Sequence, residues 1–374
     1  MKVLYLMTEP FGIGGVQSDL LALSEDLTAR SHEVHVCTSP GVLLKELMAR
    51  GAIFHHIDFH VSGLTGLAQA VRELRRVLRD HEFDVVAPQS VRSSIVARLA
   101  LSWPMGGRRR PPIVTTIHNI HSPRHFGYVG RILDLTARFV VFESHYERDR
   151  VVAGGLPAGK TRIIHSGIDA ERFSPRPPDA DLCRQYGIDP GVHRTFGIVA
   201  RLSEEKGHHL LFEAFSRVVA SQPQCRLLVI GDGPLRAQLE EHAARLGLGE
   251  TLIFTGAQRD VPRYLSLIET FVLSSSRESF PLAAREAMAA GKAVIAPRIG
   301  GVPEVVVDGV TGYLFESGNV EDLERCLASI LRDGVTLQFG EAGLRRCHER
   351  FSRKSWIDGN EQIYKEWSHV ASKQ

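Results

Sequence analysis

The residues best suited to chemistry sit in four short segments, each of which follows an apolar run. The most informative is Ser275-Ser-Arg-Glu278-Ser-Phe-Pro-Leu-Ala-Ala-Arg-Glu286-Ala-Met-Ala-Ala-Gly291. A helix beginning near Pro281 leaves Glu278 in the loop before it and puts Glu286 on its second turn. Two carboxylates so spaced can accept hydrogen bonds from two sets of hydroxyls on an extended ligand. The helix N-terminus between them can hold a phosphate. The bland alternative makes Glu278 a helix-end charge and pairs Glu286 with Arg285 or Lys292.

Arg201-Leu-Ser-Glu-Glu-Lys206-Gly207 sends two cations out of one loop just before a helix start. They could clamp a diphosphate and stabilise charge on a leaving group, or else be neutralised by Glu204 and Glu205. Val229-Ile-Gly231-Asp-Gly-Pro-Leu235 runs a strand into a turn, with Pro234 suited to a first helical position. Phe11-Gly-Ile-Gly14-Gly15-Val-Gln17 follows the first apolar run, and its glycines allow close backbone approach to a phosphate. It is neither a dinucleotide fingerprint, since Gln17 takes the third glycine position, nor a Walker loop, since no Gly-Lys-Ser/Thr follows. Taken alone it serves equally as a tight turn.

Two patterns invite a metal reading. His118-Asn-Ile-His121-Ser-Pro-Arg-His125 clusters three histidines, but Pro123 breaks helical spacing and the segment has no acid or cysteine. His118, at a strand end, reads better as a hydrogen-bonding group. Asp179-Ala-Asp181 matches an Asp-x-Asp metal motif but lies in a proline-rich stretch rather than after a strand, so it reads as coincidence. No metal and no cofactor is expected.

The elements that must position these residues follow from periodicity. Short apolar runs at 3–7, 34–38, 53–57, 85–88, 113–117 and 139–142 alternate with amphipathic stretches such as 16–30, 64–79 and 91–101. The rhythm predicts an α/β fold with parallel sheets covered on both faces. It breaks at Ser174-Pro-Arg-Pro-Pro178 and resumes through 195–200, 226–230, 252–254, 270–274 and 293–296. The expected organisation is two doubly wound Rossmann-like domains facing a cleft. These are a first domain over 1–170, a linker over 171–192 and a second domain over 193–354. Near the end, Trp356, Ile363, Tyr364 and Trp367 form one apolar helical stripe that must be buried. In open sheets of this kind, ligands bind beyond the carboxyl ends of the strands, where all four segments fall.

Composition narrows the class. The 374 residues carry 45 Lys+Arg against 43 Asp+Glu, too balanced for nucleic acid as a main partner. The balance hides a split: residues 1–168 hold 20 basic and 15 acidic side chains, and the remainder hold 25 and 28. Arg72, Arg75, Arg76 and Arg79 recur on one amphipathic stretch and Arg108-Arg-Arg110 forms a loop cluster, so an anionic membrane surface is a conceivable partner, with a solvated Arg face as the ordinary alternative. Five cysteines without a C-x-x-C pair suit reduced thiols in a cytoplasm. No apolar window reaches membrane-spanning length.

Taken together, these motifs resemble family-4 glycosyltransferases of GT-B fold. The matching residues are Gly14-Gly15, His118, His165-Ser-Gly-Ile-Asp169, Arg201 with Lys206, and above all Glu278 to Glu286 (an E-x7-E run), continuing through Gly300-Gly-Val-Pro-Glu304 to Gly309-Val-Thr-Gly-Tyr313. His165-Ser departs from the family's usual Pro-Asn. The resemblance implies a retaining, metal-independent transfer of a sugar from a UDP- or GDP-sugar to a glycan or lipid-linked acceptor, in surface polysaccharide or lipopolysaccharide synthesis. Arg201 and Lys206 would hold the diphosphate, Glu286 the ribose and Glu278 the transferred sugar. The backbone of Phe280, Pro281 and Leu282 would meet phosphate and sugar, with Gly231 lining the donor site. Gly14 and Gly15 would approach the pyrophosphate, His118 would lie beside the sugar, and a final helix over 355–374 would cross back to the first domain. The protein would be cytoplasmic, or peripheral on the inner face of the plasma membrane. The alternative is a sugar-nucleotide epimerase or hydrolase on the same architecture. A nicotinamide-dependent oxidoreductase fits less well because the glycine spacing fails, and a non-catalytic nucleotide-sugar binder would leave the Arg201, Lys206, Glu278 and Glu286 set without a task.

Overall fold

The computed structural model describes residues 1–12, 14–59, 63–103, 109–120 and 126–370. Arg108, Pro123, His121 and His125 of the sequence reading lie outside the described residues. The chain divides into unit 1, Met1–Ser166 with Lys354–Gln374, and unit 2, Gly167–Arg353.

Unit 1 contains β1 (Lys2–Leu6), β2 (Glu33–Thr38), β3 (Ile53–His56), β4 (Val85–Pro88), β5 (Val114–Ile117), β6 (Phe139–Phe142) and β7 (Thr161–Ile163). They pair in parallel in the orders β3-β2-β1-β4 and β5-β6-β7, and a parallel bridge from Val86 to Ile113 joins the two ladders. The period-2 geometry of β1 explains why its residues are almost all apolar. Leu4 and Leu6 enter a core with Leu74, Val96 and Leu133, while Val3 and Tyr5 enter one with Leu20, Leu27 and Ile363 on the opposite face. A strand buried on both faces has no use for polar alternation.

Unit 2 contains β8 (Arg194–Val199), β9 (Cys225–Ile230), β10 (Leu252–Gly256), β11 (Thr270–Val272), β12 (Ala293–Pro297) and β13 (Gly312–Phe315). They form one parallel sheet in the order β10-β9-β8-β11-β12-β13. Leu228 and Ile230 face one core and Leu227 and Val229 the other. Both units are thus doubly wound α/β. The order reverses at β8, with β9 on one side and β11 on the other, so the loops after these strands flank a switch point.

Two strands carry too little pattern to be read beforehand. β7 is three half-buried residues at a sheet edge, and β13 begins inside the Gly309–Tyr313 turn motif. The 171–192 stretch, expected as a linker, holds a helix, Ala180–Tyr186, and sends Phe173, Leu182, Cys183 and Ile188 into the core of unit 2. Asp179 has a structural task there. Its carboxylate caps the helix by accepting from Asp181 N and Leu182 N, both at 3.0 Å, and it pairs with Arg263. The helix Arg353–Val370 buries Trp356, Ile357, Ile363 and Tyr364 in the Val3–Tyr5 core of unit 1, with the Tyr364 ring edge-on to Tyr5 at 6.2 Å. Among the described residues no helix is long and apolar enough to cross a membrane.

Candidate active site

In unit 2 three strand-end loops are stitched into one surface by backbone hydrogen bonds. The loop after β8 joins the loop after β9 through Leu202 N to Asp232 O at 3.0 Å and Leu235 N to Leu202 O at 3.1 Å. It joins the loop after β11 through Ser276 N to Glu205 O at 2.8 Å, and the Ser274 hydroxyl donates to Lys206 O at 2.8 Å. Arg201, Lys206, Gly231 and Glu278 therefore belong to one frame at the carboxyl end of the sheet.

Within that frame Lys206 Nζ lies 2.7 Å from Glu278 Oε1, with the side chains 27% and 12% exposed. The neighbouring acids do not take the lysine: Glu205 Oε1 instead accepts from the Ser203 hydroxyl at 2.6 Å. Arg201 is exposed, and among the described residues no carboxylate pairs with it. The cations of this loop are thus one exposed guanidinium and one ammonium bound to a partly buried carboxylate, a pair that an incoming anion can divide.

Two glycines permit the close packing. Gly231 has φ +146°, and a Cβ there would sit 1.9 Å from Ala200 O. Gly300 has φ +52°, and its Cβ would meet Glu278 O at 1.7 Å. Both positions exclude any larger residue unless a loop moves.

The helix Leu282–Ala289 begins after Pro281, which has no side-chain oxygen to cap the first turn. Glu286 is half-buried on its second turn. Phe280 is buried edge-on to Phe351 at 5.5 Å. Arg285 turns inward, with its guanidinium carbon 4.3 Å from the Phe280 ring centroid and Nη2 donating to Phe280 O at 3.3 Å. Ser275 and Ser279 were not singled out in the sequence. Their hydroxyls are buried on either side of Glu278 and lack a hydrogen-bond partner among the described residues. Buried polar atoms are normally paired, and three serines within five positions were the available signal. His208, just past Gly207, is also buried with neither ring nitrogen bonded. Burial, followed by the charges of His209 and Lys206, lowers its pKa to about 4, so it is neutral.

In unit 1, His118 follows β5 and is held from both sides. Its Nδ1 lies 3.0 Å from Glu143 Oε1, after β6, and its Nε2 lies 2.9 Å from Gln89 Oε1, after β4. Gln89 Nε2 donates to Ala87 O at 2.9 Å, which orients the amide so that its oxygen faces the ring. Both ring nitrogens then donate, the pattern of an imidazolium. Burial opposes that charge, but the Glu143 carboxylate, aided by Asp19, outweighs it and raises the His118 pKa. Neither Gln89 nor Glu143 was singled out in the sequence, although both stand one position past a strand end. Gly14 precedes the helix Gly15–Ala29 with extended backbone, and a Cβ on it would meet Gln17 Oε1 at 2.4 Å. Gln17 in turn donates from Nε2 to Pro10 O at 3.2 Å, folding the turn back on itself.

The family model described as Glycosyltransferase Family 4 matches residues 13–172, and the one described as Glycosyl transferases group 1 matches residues 189–346. Sulfoquinovosyl transferase SQD2 of Arabidopsis thaliana is 29% identical over 229 residues, 60% of this chain, and the chain spans 43% of that relative. Phosphatidyl-myo-inositol mannosyltransferase of Mycolicibacterium smegmatis is 28% identical over 381 residues, covering 96% of this chain and 91% of the relative. Anabaena HepE in complex with UDP-glucose superposes with a TM-score of 0.85 at 23% identity, over 98% of this chain and 100% of that one. With a glycosyltransferase model matched in each half and two Rossmann-like parallel α/β units, the chain is a glycosyltransferase of the family-4 type with the GT-B fold.

Proposed function

We propose that unit 2 binds a nucleoside-diphosphate sugar, UDP- or GDP-linked, through Arg201, Lys206, Glu278 and Glu286, and that the enzyme transfers the sugar with retention and without a metal ion. The observation that carries this reading is the 2.7 Å contact between Lys206 and Glu278, which joins the cationic loop to the acidic one. A diphosphate entering beside Arg201 competes for Lys206. As the ammonium turns to phosphate, Glu278 is released to accept hydrogen bonds from sugar hydroxyls. The two side chains thereby exchange partners on binding, which avoids leaving either charge unpaired. Backbone N–H groups at Phe280 and Leu282, beside Pro281, offer donors to phosphate and sugar, Gly231 lets the chain approach closely, and Glu286 takes the ribose. Ser275 and Ser279 supply two further hydroxyls.

Glycosyl transfer passes through an oxocarbenium-like state while charge builds on the departing diphosphate. Arg201 and Lys206 would stabilise that charge in place of a metal ion. The leaving phosphate would help to deprotonate the acceptor in a front-face substitution. For unit 1 the same reading assigns Gly14, Gly15 and the His118 imidazolium to the substrates. A ligand oxygen reaches His118 Nε2 only by replacing Gln89. The acceptor we favour is glycan or lipid-linked and serves surface polysaccharide synthesis. Support comes from the basic first half of the chain and from the phosphatidylinositol relative.

Thermal shift with UDP, GDP and ADP and their sugars identifies the donor, because only a ligand bound by the native state raises the midpoint. Transfer in the presence of EDTA, with the anomeric configuration of the product read by NMR, then tests the mechanism. A strict Mn²⁺ requirement or an inverted product would overturn it.

A further inference from the structure

Away from the strand ends that carry the proposed chemistry, unit 1 gathers His35, His55 and His81. One nitrogen from each lies within 4.8 Å of the others. The register explains the meeting. His35 on β2 is paired with Ile53 and His55 on β3 with Cys37, so the two histidines are diagonal neighbours on one face of the sheet. His81 directly follows the helix Gly63–Asp80, held on the helical path by its N–H to Val77 O at 3.1 Å. Its ring centroid is 4.8 Å from that of His35 and 5.4 Å from that of His55. From these placements we propose that the three imidazoles form a site for a divalent transition-metal ion of the zinc class, stapling β2, β3 and the end of that helix.

His35 has the outer carboxylate partner that orients a metal-binding imidazole. His35 Nε2 lies 2.7 Å from Glu33 Oε1, and a carboxylate can only accept, so that nitrogen carries the proton and Nδ1 presents its lone pair inward. Glu33 is held in turn by Lys2 at 2.8 Å. Nδ1 of His35 faces His55 Nε2 at 2.7 Å, so in the metal-free chain the His55 proton fills the space between them. Metal binding exchanges that proton for the ion. His55 moves from its Nε2–H to its Nδ1–H tautomer, no net proton is released, and the two nitrogens separate to roughly 3.3 Å, as two ligands about 2.0–2.1 Å from a tetrahedral ion require. His35 is fully buried while His55 and His81 are half-buried, which leaves an entry path and a fourth position for water. Phe83 packs edge-on to His35 at 5.0 Å and fixes its ring plane. Three neutral imidazoles and no thiolate suit zinc, nickel or copper rather than magnesium or calcium.

The test titrates the full chain, freed of metal with a chelator, with Co²⁺ and then Zn²⁺. The proposal expects one Co²⁺ per chain with visible d–d absorption, displacement by one Zn²⁺, and a thermal midpoint that rises with Zn²⁺. His55→Gln and His81→Gln, both at half-buried positions, should each abolish the absorption and the midpoint rise while circular dichroism stays native. If one variant fails to fold, the other still decides. Absence of one-to-one uptake overturns the site, as does uptake unchanged in the variants. Uptake lost in His118→Gln instead would also overturn it, assigning the ion to the Asp19, His118 and Glu143 group.

Discussion

Lys206 and Glu278, 72 residues apart in the chain, meet at 2.7 Å because the loops after β8 and β11 leave adjacent strands of one sheet. Each side chain is the other's partner in the ligand-free protein, so substitution of either has two effects, loss of its own ligand contact and release of the remaining charge.

Lys206→Ala should lower kcat/KM about 10²–10³-fold, the size of effect expected when a group that stabilises developing negative charge is removed. Lys206→Arg should recover part of the loss, since the charge is kept but the geometry is changed. Steady-state transfer assays with circular dichroism as a folding control decide this. Activity within twofold of the wild type would remove Lys206 from the donor clamp.

Gly300→Ala tests the loop that carries Glu278. With φ at +52° and a new Cβ 1.7 Å from Glu278 O, the loop must shift or the backbone must strain. We expect a cost of about 1–3 kcal/mol in denaturant unfolding, together with a donor KM that rises more than expected from stability alone. Unchanged donor binding would show that Glu278 tolerates the displacement.

The His118–Glu143 contact makes stability depend on pH with a definite sign. The folded-state pKa of His118 is raised, so the contribution is fully present below the unfolded value of about 6.5 and disappears as pH rises through the folded pKa. Glu143→Gln should therefore cost more stability at pH 6 than at pH 9. It should also lower the His118 pKa followed by NMR. An equal cost at both pH values would exclude the imidazolium.

Tyr364 is fully buried against the β1 face of unit 1. Tyr364→Ala should cost about 3–5 kcal/mol, the range for removing a large aromatic ring from a core, measured by urea unfolding. A loss under 1 kcal/mol would mean that the final helix contributes little to unit 1.

Much of the architecture was legible because a parallel strand buried on both faces must be a continuous apolar run. Residues 3–7, 226–230 and 293–296 could be recognised without knowing their neighbours. The strand-end positions of His118, Arg201, Lys206 and Glu278 followed from the same runs. β7 was not legible, since three half-buried residues at an edge carry no periodicity, and the helix Ala180–Tyr186 was obscured by the prolines before it.

Sequence alone determined which residue types stand after which strands, because that information is local and is set by periodicity and turn chemistry. It could not determine which of those residues touch. That Lys206 selects Glu278 over its neighbours Glu204 and Glu205, that Glu143 raises the His118 pKa while Gln89 aligns the ring, and that His35, His55 and His81 come together all depend on strand order and register. Those are long-range properties of the packed sheet, decided by burying two apolar faces at once, and only the tertiary structure contains them.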